Sequence, residues 1–233
     1  MTTDAVRYEL REGIAFVGLD DGKVNALSHA VLDALAAALD RAEADARAVV
    51  LAGRPDRFSA GFDLAVMRAG PDAVRSLVTR GAEVAMRLYG FPRPVVAACT
   101  GHAIAMGAFL LLVADVRLGM HGDFKIGLNE VANGMTVPAF GVELARDRLS
   151  KRHFVRATLG AEIYSPVDAV DAGFLDRVTA PERLLPEAGA EAARFGALDR
   201  GAYARTKRRL HGASIARIEG SLAEDMRRLA AGE

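Results

Sequence analysis

The chain has 233 residues, 51% of them hydrophobic, and its 30 Lys+Arg are balanced by 30 Asp+Glu. That composition supplies one sizeable core and excludes a disordered chain, while the zero formal net charge argues against broad nucleic-acid binding. The single cysteine, Cys99, has no internal disulfide partner; it sits in an apolar run and reads as a small buried hydrophobe. No Cys/His spacing suggests a zinc site, so no metal is expected. Met1 to Asp4 lack the basic-then-apolar pattern of a secretory leader. The longest apolar run, Ala103 to Ala114, is too short to span a bilayer. A cytoplasmic protein with no membrane partner is the expectation.

Val6 to Leu10 and Ile14 to Leu19 are predicted strands joined by Arg11-Glu12-Gly13, and Asp20 to Lys23 is turn chemistry. Ser28 caps a predicted helix whose Val31, Leu32, Leu35 and Leu39 recur at helical spacing. A buried strand follows at Ala48 to Ala52. Ala65 to Tyr89 is helical with a break at Gly70-Pro71-Asp72, and Phe91-Pro92-Arg93-Pro94 ends that helix before a strand at Val95 to Cys99. Further strands are predicted at Val113 to Leu118 and Phe124 to Ile126. From Pro138 the pattern is almost wholly helical apart from Leu175 to Val178, with the clearest helices at Pro181 to Phe195, Gly201 to Leu210 and Ile215 to Ala231. Strand, turn, helix, strand in repetition argues an α/β fold with covered sheets and a helical C-terminal region.

Two small-residue turns stand out. Arg57-Phe58-Ser59-Ala60-Gly61-Phe62-Asp63-Leu64 follows the strand at Ala48 to Ala52, and Gly101-His102-Ala103-Ile104-Ala105-Met106-Gly107-Ala108 follows the strand at Val95. Each lies after a strand and before a helix, where backbone N–H groups lack intrahelical partners and can face an anion. One such turn is accounted for by tight packing. A pair can offer two N–H donors to one oxyanion. Glu130, in Gly127-Leu128-Asn129-Glu130-Val131, has apolar neighbours, and such a setting raises a carboxyl pKa and suits it to take and return a proton near neutrality. His102 lies in the second turn and reads as a structural hydrogen-bonding residue. Ser59 lacks a Gly-x-Ser-x-Gly elbow, and no Walker or dinucleotide glycine fingerprint is present.

These motifs, in this order, resemble those of the crotonase (enoyl-CoA hydratase/isomerase) superfamily. Lys23-Val24-Asn25-Ala26-Leu27 is similar to its Asn-Ala-Leu motif, and Phe58 to Leu64 to its Phe-Ser-Ala-Gly-x-Asp-Leu motif. Pro94 to Ala103 is similar to its strand into the second oxyanion turn, and Ile126 to Glu130 to its catalytic loop. The resemblance implies a spiral ββα core over residues 1–180 that binds acyl-CoA and a helical region, 181–233, for trimerisation. It implies backbone N–H donors at Phe62 and Met106, with Glu130 as the acid/base. It places Val24, Ala26, Ala60, Asp63, Leu64 and Gly107 along the substrate and CoA site, with Lys207 reaching a CoA phosphate. No separate cofactor is implied, since CoA arrives as part of the thioester substrate. A homotrimer or dimer of trimers is the implied assembly. The stripe Ile215, Ile218, Leu222, Met226 and Leu229 fits either that packing or an intramolecular core face.

One departure bears on the reaction. Hydratases of the family carry two glutamates that hold the attacking water; at the position of the first this chain has Phe109, and only the second is matched, by Glu130. The Leu-Asn-Glu context resembles the one-glutamate 3,2-enoyl-CoA isomerases. The expectation is an isomerase-like shift of a double bond. Hydration of 2-enoyl-CoA is the alternative within the family, and non-catalytic acyl-CoA binding is the alternative outside enzymes.

Overall fold

The repeating unit is two strands and a helix, and in the units that begin at Ala48, Val95 and Val116 the first two strands enter different sheets. The computed structural model describes residues 5–231, with side chains to Leu229; Met1 to Asp4, on which the absence of a leader is read, lie outside the described residues. The chain opens with β1 (Val6–Arg11), β2 (Ile14–Leu19), β3 (Ala26–Leu27) and α1 (His29–Asp45). Then come β4 (Ala48–Ala52), β5 (Asp56–Ser59), β6 (Gly61–Phe62), the single turn α2 (Leu64–Met67) and α3 (Pro71–Tyr89). A third unit is β7 (Val95–Cys99), β8 (Gly101–Ile104) and α4 (Met106–Leu112). A fourth begins with β9 (Val116–Met120) and β10 (Ile126–Gly127) and continues into α5 (Ala139–Arg148) and α6 (Lys151–Thr158). The remainder is β11 (Ile163–Tyr164), α7 (Pro166–Ala172), β12 (Arg177–Thr179), α8 (Leu184–Gly196) and α9 (Arg200–Ala231).

The large sheet runs β1-β2-β4-β7-β9-β12, parallel throughout except for β1. The second sheet is β11-β10-β8-β5, and β3 pairs with β6 in a third. Thus β4, β7 and β9 enter the large sheet while β5, β8 and β10 enter the small one. The chain winds as a spiral of ββα units, and the segments that follow β5, β8 and β10 come together.

Both faces of the large sheet are covered, which is why β4 and β7 are apolar without alternation. Val49, Leu51, Val95, Ala97 and Cys99 join the main core with α1, α3 and α4. Ala48, Val50, Val96, Ala98 and Leu118 face a second cluster with Leu184, Ala188 and Ala192 of α8. Ser28 caps α1, its side chain accepting from Val31 N–H. Pro71 opens α3 at a position where a missing N–H costs nothing.

Two expectations are corrected. The predicted strand at Val113 starts at Val116, because the apolar run from Met106 continues as α4 and Val113 N–H closes it on Phe109 O at 3.1 Å. Arg200 to Ala231 is one 32-residue helix and not two, its buried side running on through Lys207 and His211 to Ile218. In the helical C-terminal region α8 covers the large sheet, and α9 lies on α3 and α5. Ile218 and Met226 are buried in the main core with Ile215, Leu222 and Leu229 packed against it, so the stripe faces its own chain. Among the described residues no helix is long and apolar enough to cross a membrane.

Candidate active site

The candidate site lies where β6, the N-terminus of α4 and the loop after β10 meet. Asn25 prepares the first wall. Its backbone has φ 55°, a left-handed conformation that asparagine tolerates, and its buried Nδ2 donates to Leu19 O, Arg57 O and Phe58 O at 2.9–3.1 Å. Asp21 accepts from the N–H groups of Lys23, Asn25 and Ala26. Ser59 Oγ donates to Asn25 O at 2.8 Å and accepts from Gly61 N–H at 3.2 Å. The hydroxyl is thereby committed to shaping the turn. The sequence reading gave Asn25, Asp21 and Ser59 no part in building the site; the motif containing Asn25 was the available sign.

Along this wall Val24 O accepts from Ala60 N–H at 3.0 Å, and Ala26 pairs with Gly61. Val24, Ala60 and Leu64 are exposed, and Asp63 Oδ1 accepts from Ala65 N–H at 2.8 Å, capping α2. Val24, Ala26, Ala60, Asp63 and Leu64 therefore form one continuous rim. Asp63 N–H donates to Leu27 O at 3.2 Å; since successive N–H groups of a strand point to opposite sides, that of Phe62 faces away from β3.

Met106 is the first residue of α4, where an N–H has no intrahelical acceptor. The residue before it, Ala105, holds φ 53° and ψ −123°, an uncommon conformation for a non-glycine residue and one that stores strain. Its N–H donates to Gly127 O at 3.0 Å, and β8 pairs with β10, so the strained residue is tied to the loop that carries Glu130. The two turns touch: a Cβ on Gly61 would lie 3.2 Å from Met106 N, and one on Gly107 would lie 2.3 Å from Ser59 O. Gly107 is thus needed for α4 to approach β5, while the Met106 side chain is buried in the core.

Glu130 follows Gly127 by three residues and is 7% exposed. Its Oε2 is buried without a hydrogen-bond partner in the chain. Burial pushes its carboxyl up to about 7, against a smaller opposing effect of the Glu130 and Asn129 backbone N–H groups. No carboxylate accompanies it from α4: Phe109 is buried with its ring 5.4 Å from that of Phe140, edge to face. Phe62, Met106 and Glu130 are therefore supplied by three segments in direct backbone contact.

Lys207 is not at this site, which corrects the expectation of a CoA-phosphate contact. It is 5% exposed, with Nζ 2.7 Å from Asp115 Oδ2, beneath α9. His102 Nδ1 accepts from Lys125 N–H at 3.0 Å, a structural bond. Burial pushes the Cys99 thiol up to about 12, so it is inert. Two open depressions of about 610 and 700 Å³ lie elsewhere, beside His29 and Ser76 and beside Phe16 and Leu185, and hold none of these residues.

Comparison with known proteins places the chain in a family. The enoyl-CoA hydratase/isomerase family model matches residues 9–227. An enoyl-CoA hydratase/isomerase family protein from Pseudomonas syringae is 43% identical, with a TM-score of 0.96 over 98% of this chain and 100% of that one. Human mitochondrial delta3-delta2-enoyl-CoA isomerase is 27% identical, with a TM-score of 0.94 over 98% and 91%. A probable enoyl-CoA hydratase of Rhodobacter capsulatus is 33% identical over 184 residues, 72% of each chain. The chain belongs to the enoyl-CoA hydratase/isomerase family, the crotonase superfamily, and is an enzyme of that family.

Proposed function

We propose that the protein is a 3,2-enoyl-CoA isomerase-like enzyme. The observation that carries this reading is the solitary carboxylate: Glu130 is buried, has an unpartnered oxygen, and titrates near 7. Glu130 as the carboxylate removes a proton from the carbon between the thioester and the 3,4 double bond. The electron pair moves onto the thioester oxygen, held by the N–H groups of Phe62 and Met106, donors of a kind worth roughly 3–4 kcal/mol each. The neutral Glu130 then returns the proton two carbons further along, and the double bond settles beside the carbonyl. One carboxyl suffices because the proton taken is the proton returned.

Val24, Ala26, Ala60, Asp63 and Leu64 provide the rim for CoA, largely through backbone groups; CoA is part of the substrate, and no further cofactor takes part. The exposed Val155, Leu159, Ile163, Val167 and Val170, on α6, β11 and α7 and their connection, support a homotrimer or dimer of trimers. A monomer in size exclusion with light scattering would overturn that assembly. A cytoplasmic setting accords with the acyl-CoA substrate.

Hydration of 2-enoyl-CoA is the second reading, favoured by the name of the Rhodobacter relative. It asks for a second polar group to orient water, and Phe109 offers a buried ring instead. The test is a paired assay on wild type and Glu130→Gln. Formation of conjugated 2-enoyl-CoA from 3-enoyl-CoA, lost with Glu130 while hydration stays negligible, is the expected result. Brisk hydration would replace isomerase with hydratase, and CoA binding without either turnover would point to a non-catalytic acyl-CoA-binding protein.

A further inference from the structure

Gly81 stands in the interior of α3, where glycine costs about 1 kcal/mol relative to alanine. Its φ is not in the left-handed region, so backbone freedom does not account for it. Space does. A Cβ at Gly81 would lie 2.4 Å from Phe62 Cζ, 2.5 Å from Phe62 Cε1 and 3.5 Å from Met106 Cε. The Phe62 ring therefore rests directly on bare helix backbone, and the Met106 methyl reaches the same spot. These are the two residues whose N–H groups are proposed above to hold the thioester oxygen, and they arrive from different turns.

The direction of a residue's N–H is linked through its Cα to the seat of its side chain. Phe62 needs such a seat because Gly61 before it, with φ 90°, leaves the backbone free to swivel. The two-residue strand β6 is too short to fix the orientation alone. We propose that Gly81 is a positioning residue: its missing side chain makes a socket on α3 that seats the Phe62 ring and the Met106 methyl and so sets the spacing of the two oxyanion donors. This rests on the reading of those two N–H groups as the oxyanion hole.

The test compares wild type, Gly81→Ala, Phe62→Leu and the double variant. Alanine in a helix interior is otherwise stabilising, so a loss of activity in Gly81→Ala without a lowered melting temperature cannot be ascribed to the helix. A displacement of about 1 Å costs on the order of 100-fold in rate, so kcat should fall about 10- to 100-fold with KM within a few-fold. The pH midpoint of kcat/KM should not move, since Glu130 is untouched. Phe62→Leu in the Gly81→Ala background should restore kcat to near that of Phe62→Leu alone. Carbonyl infrared spectra of a bound, unreactive, ¹³C-labelled saturated acyl-CoA separate the two levels of the proposal. A downshift in wild type that shrinks in Gly81→Ala is expected. A wild-type downshift left unchanged in Gly81→Ala, or a double variant no better than Gly81→Ala, overturns the socket alone. No downshift in wild type overturns the oxyanion hole and the socket with it.

Discussion

Replacing Glu130 with glutamine should abolish turnover and at the same time make the protein more stable above neutrality. The rise of the Glu130 carboxyl from its ordinary 4.5 to about 7 is caused first by burial. A folded state that binds this proton more tightly than the unfolded state is stabilised in full below pH 4.5. It loses that contribution as pH rises from 4.5 through about 7. At about 1.4 kcal/mol for each tenfold change in proton affinity, the ionised carboxylate costs the fold about 3 kcal/mol at pH 8. Glu130→Gln carries no such charge. Part of that contribution is already lost at pH 5, so its stability relative to wild type should rise by about 2.5 kcal/mol between pH 5 and pH 8, a shift of roughly 5–10 °C for a chain of this size. Comparing the two pH values cancels whatever the glutamine amide itself costs. The assay is calorimetry of both proteins at each pH, beside a wild-type kcat/KM profile whose acidic limb should have a midpoint near 7. A gap that does not widen with pH, or an acidic limb near 4.5, would refute a buried carboxylate as the base.

Lys207→Met should take the counter-charge from the buried Asp115 carboxylate, leaving it the hydrogen bonds from Val95 N–H and Tyr203, and cost about 3 kcal/mol by chemical denaturation, while KM for acyl-CoA stays within twofold. A large rise in KM with unchanged stability would instead place the ammonium on CoA. Asn25→Ala removes three donated hydrogen bonds and a residue suited to φ 55°; at about 1 kcal/mol per bond it should destabilise by about 3 kcal/mol, read as a lower denaturation midpoint. His102→Ala should leave kcat within threefold and the pH profile unmoved. Burial, followed by Arg57 and Lys125, lowers the imidazole's proton affinity, and its Nδ1 serves the Lys125 N–H. A displaced acidic limb in that variant would give the histidine a role in proton transfer.

The parts of the fold legible in the sequence are those set by local pattern. Ser28 with Val31, Leu32, Leu35 and Leu39 marks α1, and the unbroken apolar strings of β4 and β7 mark strands buried on both faces. The strand at β9 slips because Met106 to Val113 is equally apolar as helix or strand, and only the α4 hydrogen bonds decide. The two turns are legible because small residues there follow a strand and precede a helix; the choice of Phe62 and Met106 within them comes from the family resemblance and stands as a proposal. The site is not legible where a side chain's role depends on a distant partner. Lys207 looks like a solvent-facing cation until the fold brings Asp115 beneath it, and Gly81 looks like a helix defect until the Phe62 ring is seen against it.

Three costs to stability meet in this small volume. Ala105 holds a backbone conformation that strains a residue with a side chain, at roughly 1–3 kcal/mol. Gly81 forgoes about 1 kcal/mol of helix propensity. Glu130 keeps an unpartnered carboxyl oxygen out of water. Packing alone would favour relief of each. Relief of the first would loosen the turn that precedes the Met106 N–H, relief of the second would push the Phe62 ring from its seat, and relief of the third would remove the proton carrier. In the proposed reaction all three would act on the same atoms, the thioester oxygen and the carbons beside it. Strain of independent origin would have no reason to converge there, which supports the proposal of an enolate-forming site over one that merely binds a thioester.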